Sequence, residues 1–378
     1  MDTRIRQIVS GMPRLQNLEE VCGQAERRLA EGDAVFAADL AIAAKAESSK
    51  DAAREVWQYD AVFDFLLRLL ATTRGRRHVE QALRVLAAAE RSERKRARLL
   101  ASMLAGSQAP EDLAPAFAGG DSGLAEELRA CLVHELVLRE VAIDAVPAIH
   151  RWAQSPHWRP HPLGGLPLRP AAFEKAPALP TYSARGHVVS VHHELEDGAE
   201  TSGGASHRPS AVEVTTAAFR SGALAAVRNW SEDSNGRLEA RAFDLAGPVA
   251  PDALPGLLTR LGLESVEGVG DRPVIRLAHV TADRAWRCLF AAASSGGAYG
   301  SGHHGAYGRL HAWRSIAALT GGETETSPAR TERRVRAWAW FDFAGATDWF
   351  DKIAWDLGLV ALAPDARRLT VLAATDTD

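Results

Sequence analysis

The residues best suited to chemistry gather near position 300. Ser294–Arg314 reads SSGGAYGSGHHGAYGRLHAWR and carries the tetrapeptide Gly-Ala-Tyr-Gly twice, at 297–300 and 305–308. Six glycines fall between 296 and 308. Glycine-rich backbone ahead of a helix N-terminus can leave N–H groups facing an anion, and the helix dipole adds to the attraction. On that reading Gly297, Gly300 and Gly305 offer main-chain amides. Tyr299 and Tyr307 offer a ring or a hydroxyl, His303 and His304 offer imidazoles, and Arg309 and Arg314 offer guanidinium charge. The spacing matches neither G-x-x-x-x-G-K-[ST] nor a strand-borne G-x-G-x-x-G, so no nucleotide is specified. The same glycines would also let two packed elements pass closely.

A second grouping lies further along. Asp342, Asp348 and Asp351 form an acidic cluster that could face Arg309 or Arg314. Carboxylates opposed to a guanidinium can move protons, and they can equally form a structural ion pair. Other constellations fail. His192 and His193 are adjacent on an expected strand, point to opposite faces and cannot easily chelate together with Glu194. Cys131-Leu-Val-His134-Glu135 lacks the second histidine of H-E-x-x-H, and no G-x-S-x-G occurs. Cys22, Cys131 and Cys288 are far apart with no C-x-x-C between any two, which excludes a zinc knuckle. Neither a metal nor a cofactor is expected.

Composition narrows the class. The chain has 378 residues, enough for two domains, with 46% apolar and 24% charged residues and a net charge of −4. It is globular, and no basic field points to nucleic acid. The run Arg91–Arg98 sits among Glu90 and Glu93 in a helical pattern and reads as a solvated helix face. No signal peptide and no span of roughly 20 apolar residues is evident. A cytoplasmic protein that does not engage a membrane is expected.

The elements that must hold these residues fall into an α+β arrangement. Residues 1–154 show helical periodicity throughout, as in Leu15, Leu18, Val21, Cys22, Ala25 and Leu29, and form an all-α, helical-repeat-like or bundle domain. Residues 155–182 contain seven of the eighteen prolines and read as a strap or linker. Residues 183–378 mix strands and helices in an α/β domain containing the Gly-rich loop 294–308. Strands are expected at 186–195, 211–216, 238–245, 273–280 and 335–343, with a hairpin of 359–363 and 368–373 about Pro364-Asp365. Helices are expected at 251–261, 281–293 with Thr281 as N-cap, 308–319 and 348–357. Trp338 and Trp340 would share one strand face, with Phe341 and Phe343 on the other.

Two segments, GGAYGSGHHGAYGRLHAWRSIAALTG at 296–321 and TDWFDKIAWDLGLVALAPDARRLTVLAATDTD at 347–378, resemble an uncharacterised actinobacterial family of unknown function. That resemblance implies a bacterial cytosolic origin and carries over no site.

These readings favour a binding or interaction protein that docks an unidentified protein partner or small anionic ligand at the glycine-rich loop. The alternative is a hydrolase or transferase acting on a phosphate- or carboxylate-bearing substrate. Its site would be built from the loop, His303, His304, Arg309 and the C-terminal acids. Oligomeric state is not fixed by the sequence.

Overall fold

The computed structural model describes residues 2–50, 56–88, 94–118, 123–189, 200–202, 209–267, 274–322, 327–350 and 355–376. His192, His193, Glu194 and Asp351 lie outside the described residues. The chain forms two compact units, residues 1–164 with 179–189, and residues 165–178 with 190–378. The proline-rich stretch is thus shared: 155–164 and 179–182 belong to the first unit and 165–178 to the second.

The first unit holds α1 (Thr3–Gly11), α2 (Glu19–Ala30), α3 (Ala34–Ser48), α4 (Trp57–Thr72), α5 (Arg76–Ala87), α6 (Arg94–Ser107), α7 (Gly123–Leu138) and α8 (Pro147–Ala153). Asp2 and Asp33 cap α1 and α3 by accepting from the amides of Arg4 and Phe36. Buried Phe36, Leu40 and Ala44 of α3 share the apolar interior with Val62, Phe63, Leu66 and Leu70 of α4. A short antiparallel hairpin of β1 (Thr181–Ser183) and β2 (Gly186–Val188) completes the unit. Tyr182 anchors it by donating to Ser102 Oγ at 2.9 Å. Burial is the main reason the Tyr182 hydroxyl titrates above its ordinary range.

The buried charged residues of α7, Glu127, Arg129 and Glu135, each have a partner. Arg98 Nε donates to Glu127 at 2.7 Å, Arg139 donates to Glu135 at 2.6 Å, and His134 Nε2 lies 3.1 Å from the Leu163 carbonyl. Two arginines of the 91–98 run are paired as well, Arg96 with Asp64 and Arg98 with Glu127, while Arg94 and Lys95 are exposed.

The second unit is built on an antiparallel sheet. Its strands are β3 (Glu200–Ser202), β4 (Ala211–Glu213), β5 (Arg237–Leu245), β6 (Val274–Val280), β7 (Ala339–Gly345), β8 (Trp355–Leu362) and β9 (Arg368–Asp376). They run in the order β3-β6-β7-β8-β9-β5-β4, so β3 and β4 are the edges. Its helices are α9 (Ala217–Ala223), α10 (Arg228–Glu232), α11 (Leu254–Leu258), α12 (Ala282–Ser295), α13 (His304–Leu319) and α14 (Pro328–Ala337). Thr281 caps α12 by accepting from the Arg284 amide. The β8–β9 hairpin pairs Leu362 with Leu369 across the Pro364-Asp365 turn. On one sheet face Phe243, Phe341, Phe343, Val360 and Val371 pack with Leu254, Leu257, Leu258 and Leu261. α12 and α13 also pack on the sheet, and Thr370 donates to the Leu319 carbonyl at 2.6 Å.

Several expected elements shift. The described residues of the helix expected at 348–357 are not helical: 348–350 form a turn, and Trp355–Leu362 is a strand paired along its length with β9. The spacing of Asp348, Asp351 and Trp355 imitated a helical face, and the alternation of Leu357, Leu359 and Ala361 prevails. The strand expected from 335 begins at Ala339, because Pro328 opens a helix whose buried Thr331 and Val335 recur four residues apart. Trp338 therefore caps that helix, and only Trp340 of the two lies in the strand.

Candidate functional site

The glycine-rich stretch is half loop and half helix. α12 continues through Ser295, Gly296 turns the chain with φ +84°, and α13 begins at His304. Gly305, Tyr307 and Gly308 are therefore helical, and the expected helix start at 308 moves four residues earlier. Close packing favours helix here over glycine's poor propensity. A Cβ on Gly308 would stand 2.7 Å from Ser294 Cβ, so the glycine lets α13 lie tight against α12.

The loop does hold a negative charge, and that charge is its own chain's. Asp376, fully buried at the end of β9, accepts from the Ala298 amide at 2.6 Å and from Ser234 Oγ at 2.7 Å. A Cβ on Gly297 would overlap the Asp376 carboxylate. Gly300 packs beside Asp233 and the carbonyl of Asn229. The Asn229 side chain is buried nearby with neither amide atom hydrogen-bonded.

The other proposed contacts separate. Arg309 is 0% exposed. Its Nε and Nη2 hold Glu174 at 2.6 and 2.7 Å, and Nη1 donates to the Pro167 carbonyl at 2.9 Å. Trp313 Nε1 and the Ala171 amide complete the shell of Glu174. Arg309 thus closes a structural ion pair and is turned away from any ligand. Tyr307 is buried, and the His303 and His311 rings lie 4.7 Å apart. His304 is half-buried with φ +58°. Tyr299 is 65% exposed and Arg314 is exposed. Of the acids, Asp342 lies 3.6 Å from Arg284, while Asp348 pairs with Arg237 and is 71% exposed. Among the described residues, Arg309, Asp342 and Asp348 thus each pair with a different residue. Among the described residues no three His, Cys, Asp or Glu side chains gather as metal ligands.

A cavity does exist elsewhere in the second unit, where no motif pointed. A groove of about 510 Å³ is lined by Pro209, Ser210, Ala211 and Glu213 beside β4, Arg241 and Phe243 on β5, and Leu257, Arg260 and Leu261 after α11. Its volume is that of a small-ligand site, for which roughly 300–1,000 Å³ is usual. Phe243, Leu257 and Leu261 are buried core residues that form its apolar floor. Arg241 lies over the Phe243 ring, 5.2 Å from its centroid, and is pinned by Glu213 and the Gly262 carbonyl. Next to it, buried Glu239 accepts from the amides of Glu264 and Ser265 at 3.0 Å each and from Ser265 Oγ at 2.7 Å.

Charge in the groove is arranged unevenly. The hydrogen bond from Arg241 is the main reason the Glu213 carboxyl sits below its ordinary range, and the Arg220 charge lowers it further. The Arg241 guanidinium is correspondingly held more firmly protonated, chiefly by the same bond. This pairing is complete above the ordinary carboxylate range and is lost only as pH falls through the lowered value. Arg260 is exposed on the rim and has no hydrogen-bond or ion-pair partner among the described residues. The available sequence signal was the alternation Glu239-Arg241-Phe243 on an expected strand. Two charges on the face that ends in a buried ring are unusual for a solvated edge.

The family model described as "Family of unknown function (DUF6183)" matches residues 19–378, and the chain belongs to that family. No curated protein and no solved structure matches it.

Two substitutions test the loop as a structural device. Glu174→Gln removes one partner of a buried pair and should lower stability by about 3–5 kcal/mol in a denaturant melt. Asp376→Ala, which leaves the Ala298 amide and Ser234 without their acceptor, should cost about 1–3 kcal/mol in the same assay. An unchanged melt for either would contradict the structural assignment.

Proposed function

We propose that this family member is a binding protein of the bacterial cytosol that seats the anionic group of a partly apolar ligand or partner in the groove beside β4. The observation that carries this reading is Arg260, a guanidinium without a partner among the described residues, on the rim of a cavity floored by Phe243, Leu257 and Leu261. A guanidinium fork favours a carboxylate or phosphate, and the floor favours an apolar body attached to it. Arg241, held flat on Phe243 by Glu213, gives the ligand a rigid wall. The glycine-rich loop is the weaker candidate, since Asp376 already occupies its Ala298 amide. The groove's described lining offers charge and apolar surface, and its one carboxylate, Glu213, is held by Arg241. Among the described residues no helix is long and apolar enough to cross a membrane, and Cys22, Cys131 and Cys288 form no disulfide, which fits a reducing compartment.

Benzoate and phenyl phosphate are simple probes, each an anion on an apolar ring. Calorimetric titration of the full chain should show saturable binding of at least one. Arg260→Glu should weaken it at least about tenfold, the effect of exchanging attraction for repulsion at the rim. Tyr299→Ala, in the glycine-rich loop, should leave it unchanged. Absence of binding, or loss with Tyr299→Ala and not with Arg260→Glu, would overturn the proposal.

A further inference from the structure

The groove borders a sheet edge as well as its cations and its apolar floor. β4 ends the sheet, so one of its sides pairs with β5 and the other is an edge, and Ala211 and Glu213 of β4 line the groove. The register fixes which groups point where. The Ser210 carbonyl accepts from the Ala246 amide at 2.9 Å, and the Val214 amide donates to the Ala242 carbonyl at 2.8 Å. Val212 pairs with Asp244 between them. Alternate residues of an antiparallel strand direct their backbone groups to opposite sides. The N–H and C=O of Ala211 and Glu213 therefore point outward, where no described residue bonds to them.

We infer that the natural occupant of the groove is an extended acidic peptide that adds to β4 as an eighth strand. This rests on the groove being the binding site, as argued above. Strand addition takes its affinity from main-chain hydrogen bonds and its specificity from alternate side chains. Here Ala211 and Glu213 supply the main-chain ladder. A peptide side chain directed at the floor meets Phe243, Leu257 and Leu261 and should be apolar. One directed at Arg260 should be Asp or Glu. A second copy of this chain is a poorer occupant. Its own edge, Pro209-Ser-Ala-Val-Glu213, has one acid, and Arg241 already holds it. The shortness of β4, its preceding proline and its charged end are features that restrain open-ended strand pairing, and they suit a site meant for a short segment.

The test uses the full chain and a displayed library of random heptapeptides. Selection should enrich sequences in which apolar and acidic residues alternate. Ala211→Pro removes an outward N–H that the β5 pairing does not use. It should weaken an enriched peptide about threefold to tenfold, the loss of one hydrogen bond, and leave the thermal melt unchanged. On the unaltered protein, N-methylation of one peptide amide facing β4 should cause a similar loss, and N-methylation of the next amide should cause none. Benzoate binding without any enriched peptide would overturn strand addition and leave the groove reading intact. Failure of both would overturn the groove as well. Enriched peptides indifferent to N-methylation at every amide, or a concentration-dependent dimer abolished by Ala211→Pro, would also overturn the inference, the latter by showing a second copy on the edge.

Discussion

Three carboxylates withdrawn from water organise the second unit. A buried carboxylate is tolerated only when donors surround it. Glu174, Glu239 and Asp376 each meet that demand by recruiting a segment remote in the chain. Glu174 gathers Arg309, Trp313 and the Ala171 amide, which ties residues 165–178 to α13. Asp376 gathers Ser234 and the Ala298 amide, which ties the last strand to α10's exit and the glycine-rich loop. Glu239 gathers Glu264 and Ser265, which ties β5 to the segment after α11. Such pairs contribute less to net stability than their number suggests, but they discriminate strongly against any packing that leaves one unpaired.

That requirement separates the conspicuous part of the chain from the groove proposed to receive a ligand. The glycines near 300 supply what their spacing suggested, an amide aimed at a negative charge and room for close helix packing. The charge is Asp376, so the recognition is internal. The third carboxylate has the opposite consequence. By fixing 264–265 against β5, Glu239 helps set the wall on which Arg241 lies flat over Phe243, and the groove beside β4 stays open next to it. Guanidinium, ring and strand edge then surround a cavity whose other cation, Arg260, projects from its rim.

Much of the architecture was legible. Helical periodicity marked the first unit, alternation marked β5 and the β8–β9 hairpin, and Thr281 marked the start of α12. The errors arose where two periods overlap: Asp348 and Trp355 imitate a helix while their neighbours pair as a strand, and Val335 alternates with Arg336 and Ala337 while lying in a helix. The proposed site was harder to read because its signal is an absence of partners among the described residues. Nothing local distinguishes Arg260, which has no described partner, from Arg309, which is sealed against Glu174 from 135 positions away. Pairings of that separation are decided by the tertiary fold. Only the alternation of Glu239, Arg241 and Phe243 hinted at charge placed deliberately against a buried ring.

The central claim is one of location: an anion from outside the chain is received at Arg260 and the edge of β4. Backbone and arginine side-chain resonances of the isotopically labelled chain, followed during addition of benzoate, address it most directly. The account predicts saturable shifts at Ala211, Glu213, Arg241, Arg260 and Leu261, with Ala298 to His303 unmoved. Shifts centred on Ala298 to His303, with Arg260 silent, would contradict it.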